Sequence, residues 1–297
     1  MDLEVDGFRF STRIDQSEAD ALLCEWAPSD ELASFRGPAA WYTCEPRTNP
    51  RMGVLRQKDQ RRSLTRLRPN QLLHHAHPDP RYRGPHMTHA HVTIIEGDHP
   101  RAARACTVVS NYGGPIWNRW PDIDLRNRFA TAPGVDLFGR RAKWTHFRPR
   151  WWSLPRLPES YRGEIGEDVD KLQVLSRYRV AICLENTIEP GYLSEKFVDG
   201  VRAGCVPVYR AHPSVRDTVL QGATWVDPAD HHFDPRQTLE HALSLDPIEV
   251  AARNFAWFRC DDVRATSERG VWARIGHALR AQGEELGVST PQGPGVT

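Results

Sequence analysis

Between positions 185 and 196 the chain crowds side chains that could hold an anion. Glu185, Asn186, Glu189 and Tyr192 fill a short polar stretch, and Lys196 follows just behind Ser194. Ser194 is a helix-capping residue type, and Phe197, Val198, Val201 and Ala203 predict a helix that stops at Gly204. A helix start offers unpaired backbone N–H groups to a phosphate. A cation gains nothing from that end of the helix dipole, so Lys196 is expected to have a phosphate between itself and the helix. A second candidate is Glu45, which ends an apolar stretch and precedes Pro46. A carboxylate where a proline stops strand pairing is a plausible catalytic position and also the composition of an ordinary loop. A third is the group His74, His75, His77, His86, His89 and His91. It lacks H-E-x-x-H spacing, and Pro78, Pro80 and Pro85 break any helix that would align it. An irregular loop facing solvent or a cleft is the preferred reading over a metal site, with one histidine reaching a substrate as a third.

The elements that must position these groups are legible in outline. Residues 180–184 and 206–209 are short apolar runs suited to buried strands, and they bracket the 194–203 helix. Strand, polar loop, helix and strand form an αβ layer whose polar residues lie at a strand's carboxyl end, where open α/β sheets bind ligands. Upstream, strands are expected at 8–10, 39–43, 91–95 and 106–109, and downstream another at 223–226. Helices are expected at 17–24, 51–70, 124–131, 168–178, 237–245, 248–258 and 268–279. Residues 143–158 interleave Trp and Arg with three prolines. Packing under a crossover loop is the first reading there, contact with a sugar or base the next.

Lys and Arg number 39 and Asp and Glu 38, a net charge of +1 that gives no electrostatic case for nucleic acid. The six cysteines are scattered without metal-site spacing and read as buried thiols of a reducing compartment. The acidic start MDLEVDGFRF is no signal peptide, and no run approaches the length of a membrane span. A cytoplasmic location without a transmembrane segment is therefore expected.

The segment LENTIEPGYLSEKFVDGVRAGCVPVY resembles the donor-site signature of glycosyltransferase family 10, the α-1,3/4-fucosyltransferases, in its soluble bacterial form. Asn186, Tyr192, Glu195 and Lys196 fall in register with E-N-[ST] and Y-x-[TS]-E-K. VDLFGR (135–140) resembles the family's V-D-x-x-G-R block, and Lys171, Leu172, Leu175 and Tyr178 match the helix before the central strand. SNYGGPIWNR resembles the S-N-x(6–7)-R segment, whose arginine contacts the donor's pyrophosphate; Arg119 is the nearest match, with Arg126 and Arg128 as rivals. WYTCEPRTNP resembles the acceptor-domain segment that carries the general base, with Glu45 as the matching residue and Cys44 where glycine is usual.

The resemblance implies an α/β fold of GT-B type, two facing Rossmann-like domains with a cleft between them. The implied division is 1–98 for a shortened acceptor domain, 99–281 for the donor domain and 282–297 for a flexible tail. It also implies transfer of fucose from GDP-fucose to a hydroxyl of a glycan or small molecule, with inversion. Glu45 would be the base; Arg119 and Lys196 would neutralise the diphosphate, and Asn186, Tyr192 and Glu195 would hydrogen-bond the donor. Glu195 has an alternative role as a helix-start carboxylate. No D-x-D motif stands near the donor loop, so no obligatory metal cofactor is expected, with Mn or Mg at most a stimulant. Two alternatives stay open: the same chemistry with another nucleotide sugar, and a non-catalytic sugar-nucleotide-binding protein. An RNA-binding module is a distant third.

Overall fold

The computed structural model describes residues 2–11, 13, 18–25, 35, 37–42, 72–74, 101–110, 122–144, 157–165, 171–189, 191–260, 263, 268–285 and 287. The chain divides into two compact units, one of residues Met1–Thr88 with Ala265–Thr297 and one of His89–Arg264.

In the first unit, β1 (Asp2–Val5) and β2 (Phe8–Ser11) form an antiparallel hairpin. Its turn is Asp6-Gly7, both at positive φ (48° and 74°), the backbone that an Asp-Gly pair tolerates best. Three further strands, β3 (Leu22–Glu25), β4 (Ala39–Tyr42) and β5 (Leu72–His74), pair in parallel with β4 at the centre. The helix expected over 17–24 is therefore corrected: its second half is β3. Parallel pairing with β4 overrides the local apolar spacing, as tertiary context commonly does. The carboxyl-terminal helix Glu268–Glu285 packs Val271, Ile275 and Leu279 against Phe10 and Ala21. Through this contact it joins the first unit, whereas the sequence division assigned most of it to the donor domain and began a tail at 282. Gln282 is buried within the helix, so residues 282–285 are not tail. The compact units also part after Thr88 instead of at 98.

The second unit is an α/β layer built on five parallel strands: β6 (Ala102–Val108), β7 (Val135–Phe138), β8 (Tyr161–Gly163), β9 (Tyr178–Ile182) and β10 (Val206–Val208). Their order is β10-β9-β6-β7-β8. The chain thus starts at the centre, runs to one edge, and returns beside β6 to build the other half. The helices are α1 (Ile123–Ala130), α2 (Arg141–Trp144), α3 (Lys171–Leu175), α4 (Glu195–Arg202), α5 (Pro213–Arg216), α6 (Pro235–Ser244) and α7 (Pro247–Phe258). Ala105, Val180, Ile182, Val206 and Val208 pack with Phe129, Leu239 and Ala242 into one core. Each fully buried Val or Leu there contributes roughly 1.5–3 kcal/mol. The strand expected over 223–226 is reduced to a single bridge, Val208 to Val226.

Three cysteines, Cys106, Cys183 and Cys205, are buried free thiols as expected, but Cys260 is exposed. It lies just past the end of α7, where the chain leaves the core. Trp144 is fully buried and donates its indole N–H to the Val109 carbonyl at 3.0 Å. No helix among the described residues is long and apolar enough to cross a membrane.

Candidate functional site

Sheet order decides where the site lies. Strands β6 and β9 are adjacent, yet the chain leaves β6 toward one edge and leaves β9 toward the other. Their carboxyl ends form the switch point at which open α/β sheets bind ligands.

Arg126 spans that point. It projects from α1, is 1% exposed, and donates to the Ser110 carbonyl beyond β6 and to Asn186 Oδ1 beyond β9. The guanidinium fork suits this task because its several N–H groups diverge in one plane. Asp122, the residue before α1, ties the same loop by its backbone. Its N–H donates to the Asn186 carbonyl at 3.1 Å, and its Oδ2 accepts from Ile188 N at 2.7 Å. Asp122 also faces the Arg210 guanidinium at 3.8 Å, and Arg210 lies over the Phe233 ring at 4.8 Å.

The loop's other end is fixed by Ser194 and Glu185. Ser194 caps α4, accepting from Lys196 N at 3.4 Å. Its own N–H and hydroxyl both donate to Glu185 Oε1, the former at 3.0 Å. Glu185 Oε1 also accepts from the Tyr209 hydroxyl at 3.3 Å, while Oε2 accepts from Lys196 Nζ at 3.0 Å. Lys196 Nζ donates to Ser194 Oγ at 3.0 Å and lies 3.6 Å from Glu195 Oε1. Burial alone would lower the lysine's pKa, but Glu185 first and then Glu195 outweigh it and hold it well above the ordinary value. The Arg126 charge opposes that rise. Burial pushes the Glu195 carboxyl up, yet Lys196, Lys171, its own backbone N–H and Ser194 bring it down to about 2. The Tyr209 hydroxyl is pushed far up, by burial first and by Glu185 next, and stays a neutral donor.

α4 holds this geometry because it packs tightly under the strands. A Cβ added at Gly200 would come within 2.7 Å of Cys183 Sγ. Phe197 is fully buried, with ring centroids 4.8 Å from Tyr209 and 5.4 Å from Trp257.

Of the residues expected from sequence, Asn186, Tyr192, Glu195 and Lys196 lie in this one loop-and-helix unit. Tyr192 is partly exposed, its N–H donating to the Glu189 carbonyl at 3.2 Å. Glu45 and Arg119 lie outside the described residues, as do His75, His77, His86, His89 and His91; His74 is placed only as the end of β5. Lys196 does not need a phosphate for its counter-charge, as expected from sequence, because Glu185 and Glu195 already supply it. Sequence reasoning missed Asp122, Tyr209 and the central part of Glu185. The signal for Glu185 was its place at the end of an apolar strand; nothing in the sequence pairs it with Tyr209.

No family model matches the chain. Over 89 residues, 30% of its length, it is 41% identical to a putative fucosyltransferase-like protein of Arabidopsis thaliana, covering 15% of that protein. Over 57 residues it is 39% identical to an α-(1,3)-fucosyltransferase of Helicobacter pylori, covering 12% of it. The chain therefore spans less than a sixth of the length of either relative. The crystal structure of an α1,3-fucosyltransferase aligns over 90% of this chain and 80% of that one, at 17% identity and a TM-score of 0.43. Over these stretches the chain is similar in sequence to fucosyltransferases.

Proposed function

We propose that the chain is a glycosyltransferase that moves fucose from GDP-fucose to a hydroxyl of a glycan or small-molecule acceptor. The observation that carries the reading is the pair of cations at the sheet's switch point. Arg126 bridges the ends of β6 and β9, and Lys196 stands in the first turn of α4, the helix that follows the loop Arg126 holds. A diphosphate leaving group develops negative charge as the glycosidic bond breaks, and preorganised cations stabilise that charge. Arg126 takes the part that sequence gave first to Arg119. Tyr192 and Asn186 would hydrogen-bond phosphate or ribose, and Glu195 a sugar or ribose hydroxyl.

Glu45 would take the proton from the acceptor hydroxyl as it attacks the anomeric carbon from the opposite face, inverting it. Two α/β units, each with a parallel sheet, have the composition of the GT-B arrangement, with donor and acceptor carried by different units. With two cations on the leaving group, transfer is expected to persist in EDTA.

The test is product analysis with GDP-fucose and an acceptor library, beside calorimetry with GDP, UDP and ADP. Transfer of fucose with inverted configuration supports the reading. Tight binding of another nucleoside diphosphate in place of GDP would move it to a different donor, since Arg126 and Lys196 recognise phosphate and not the base. Donor binding without transfer or hydrolysis would leave a sugar-nucleotide-binding protein.

A further inference from the structure

We propose that Glu185 is the positioning residue of the donor site, its buried carboxylate fixing the Lys196 ammonium at the switch point. The inference rests on the reading of Lys196 as a diphosphate contact and adds a role for a residue that reading leaves unused.

Glu185 has a side chain 1% exposed, placed where β9 gives way to the loop. An ionised carboxylate is tolerated there only if its lone pairs are met. Four donors converge on it: the Ser194 N–H and hydroxyl, the Tyr209 hydroxyl and Lys196 Nζ. Of these donors only Lys196 carries charge. The three neutral donors come from the cap of α4 and the end of β10, so both neighbouring elements set the carboxylate's orientation before the lysine reaches it. Lys196 is itself only 16% exposed, and its ammonium is aimed by Glu185 Oε2 and Ser194 Oγ, both at 3.0 Å.

The other charged and titratable groups around the ammonium are few. Glu195, on α4, is farther away at 3.6 Å and also feels the charge of Lys171, which itself pairs with Asp199 at 2.7 Å. Arg126, from α1, acts against a charged lysine, and burial acts in the same direction. Tyr209, at the end of β10, stays neutral, and Tyr192, in the loop, acts on Tyr209. Remove the charge at Glu185, and burial and Arg126, which both favour an uncharged Lys196, are opposed by Glu195 alone. An uncharged lysine cannot neutralise a diphosphate, so donor affinity should then fall as pH rises.

The experiment titrates GDP by calorimetry into wild type, Lys196→Ala, Glu185→Gln and Glu185→Asp across neutral to alkaline pH, with melting curves on the same samples. Ionisation of GDP itself is common to all four and cancels in the ratios. Glu185→Gln is expected to bind about tenfold more weakly at neutral pH, the order of one charged hydrogen bond, and to lose further affinity relative to wild type as pH rises. Glu185→Asp keeps the charge but draws it back by one methylene. It should bind more weakly at neutral pH yet follow the wild-type pH course. A folded Glu185→Gln that tracks wild type at every pH overturns the proposal. Should Glu185→Gln not fold, wild-type affinity in Glu185→Asp overturns it instead. If Lys196→Ala binds GDP as wild type does, the donor-site reading itself fails, a result separate from a failure at Glu185 alone.

Discussion

Two buried carboxylates in the second unit are built from the same parts and used differently. Asp136 on β7 meets Arg162 Nε at 2.7 Å, Arg104 at 3.1 Å and the Tyr178 hydroxyl at 3.1 Å. Glu185 meets Lys196, Ser194 and the Tyr209 hydroxyl. Each therefore joins cation and phenol, and in both cases burial and then the carboxylate raise the tyrosine's pKa, Tyr178 to about 12. Asp136, however, lies within a strand and draws its partners from β6, β8 and β9, so it clamps four strands together. Its cations reach solvent, Arg104 being 46% and Arg162 40% exposed, where water screens them. Glu185 lies past a strand's end and holds a cation that is 16% exposed beside a second one, Arg126. The same chemistry joins strands where its cations face water and, at the switch point, confines a cation away from it.

The largest effect that would sharpen this contrast should come from neither cluster. Glu45→Gln keeps size and most hydrogen bonding but removes proton acceptance, so turnover should fall by ~10²–10⁴-fold with GDP affinity unchanged. Transfer rate, calorimetry and melting temperature measured together check it; a parallel loss of stability would instead make Glu45 a loop anchor. Next in size, Lys196→Ala and Arg126→Lys should each weaken GDP binding by roughly ten- to a hundredfold, the range of a lost charged hydrogen bond. Arg126→Lys retains charge but not the fork, so wild-type affinity in that variant would remove the bridging role.

Asp136→Asn should do the reverse. It leaves GDP affinity intact and costs on the order of 1–3 kcal/mol, read as a fall of about 2–4 °C in Tm per kcal/mol. A changed affinity there would erase the distinction between clamp and site. The smallest effect concerns Glu195. Its pKa is lowered on folding from 4.5 to about 2, so its contribution to stability is complete above pH 4.5 and is lost as pH falls toward 2. Glu195→Gln should therefore flatten the acid limb of a stability–pH curve between those values. An unchanged limb would show that the carboxylate is not held by Lys196 and Lys171.

The central unit was legible because its information is local. An apolar run, a capping serine, helical spacing of Phe197, Val198 and Val201, and a glycine at the stop predict α4 to within a residue of Glu195–Arg202. Gly204 takes positive φ (67°) at that stop, as a helix end before a strand often requires. That Asn186, Tyr192, Glu195 and Lys196 lie close together was legible for the same reason, since one continuous segment carries them all. The fold class followed from the alternation of strands and helices.

What only the tertiary structure decided depends on residues far apart in the chain. Leu22 and Leu23 are strand residues because β4 pairs with them, and the carboxyl-terminal helix belongs to the first unit because Phe10 and Ala21 receive its apolar face. Arg126 bridges Ser110 and Asn186 only because the order β9-β6 brings the ends of those two strands to either side of it. Glu185 and Tyr209 meet only because β10 lies beside β9. Sequence spacing sets which side chains share a helix or a loop; strand order, fixed by burying both faces of a sheet, sets which loops meet.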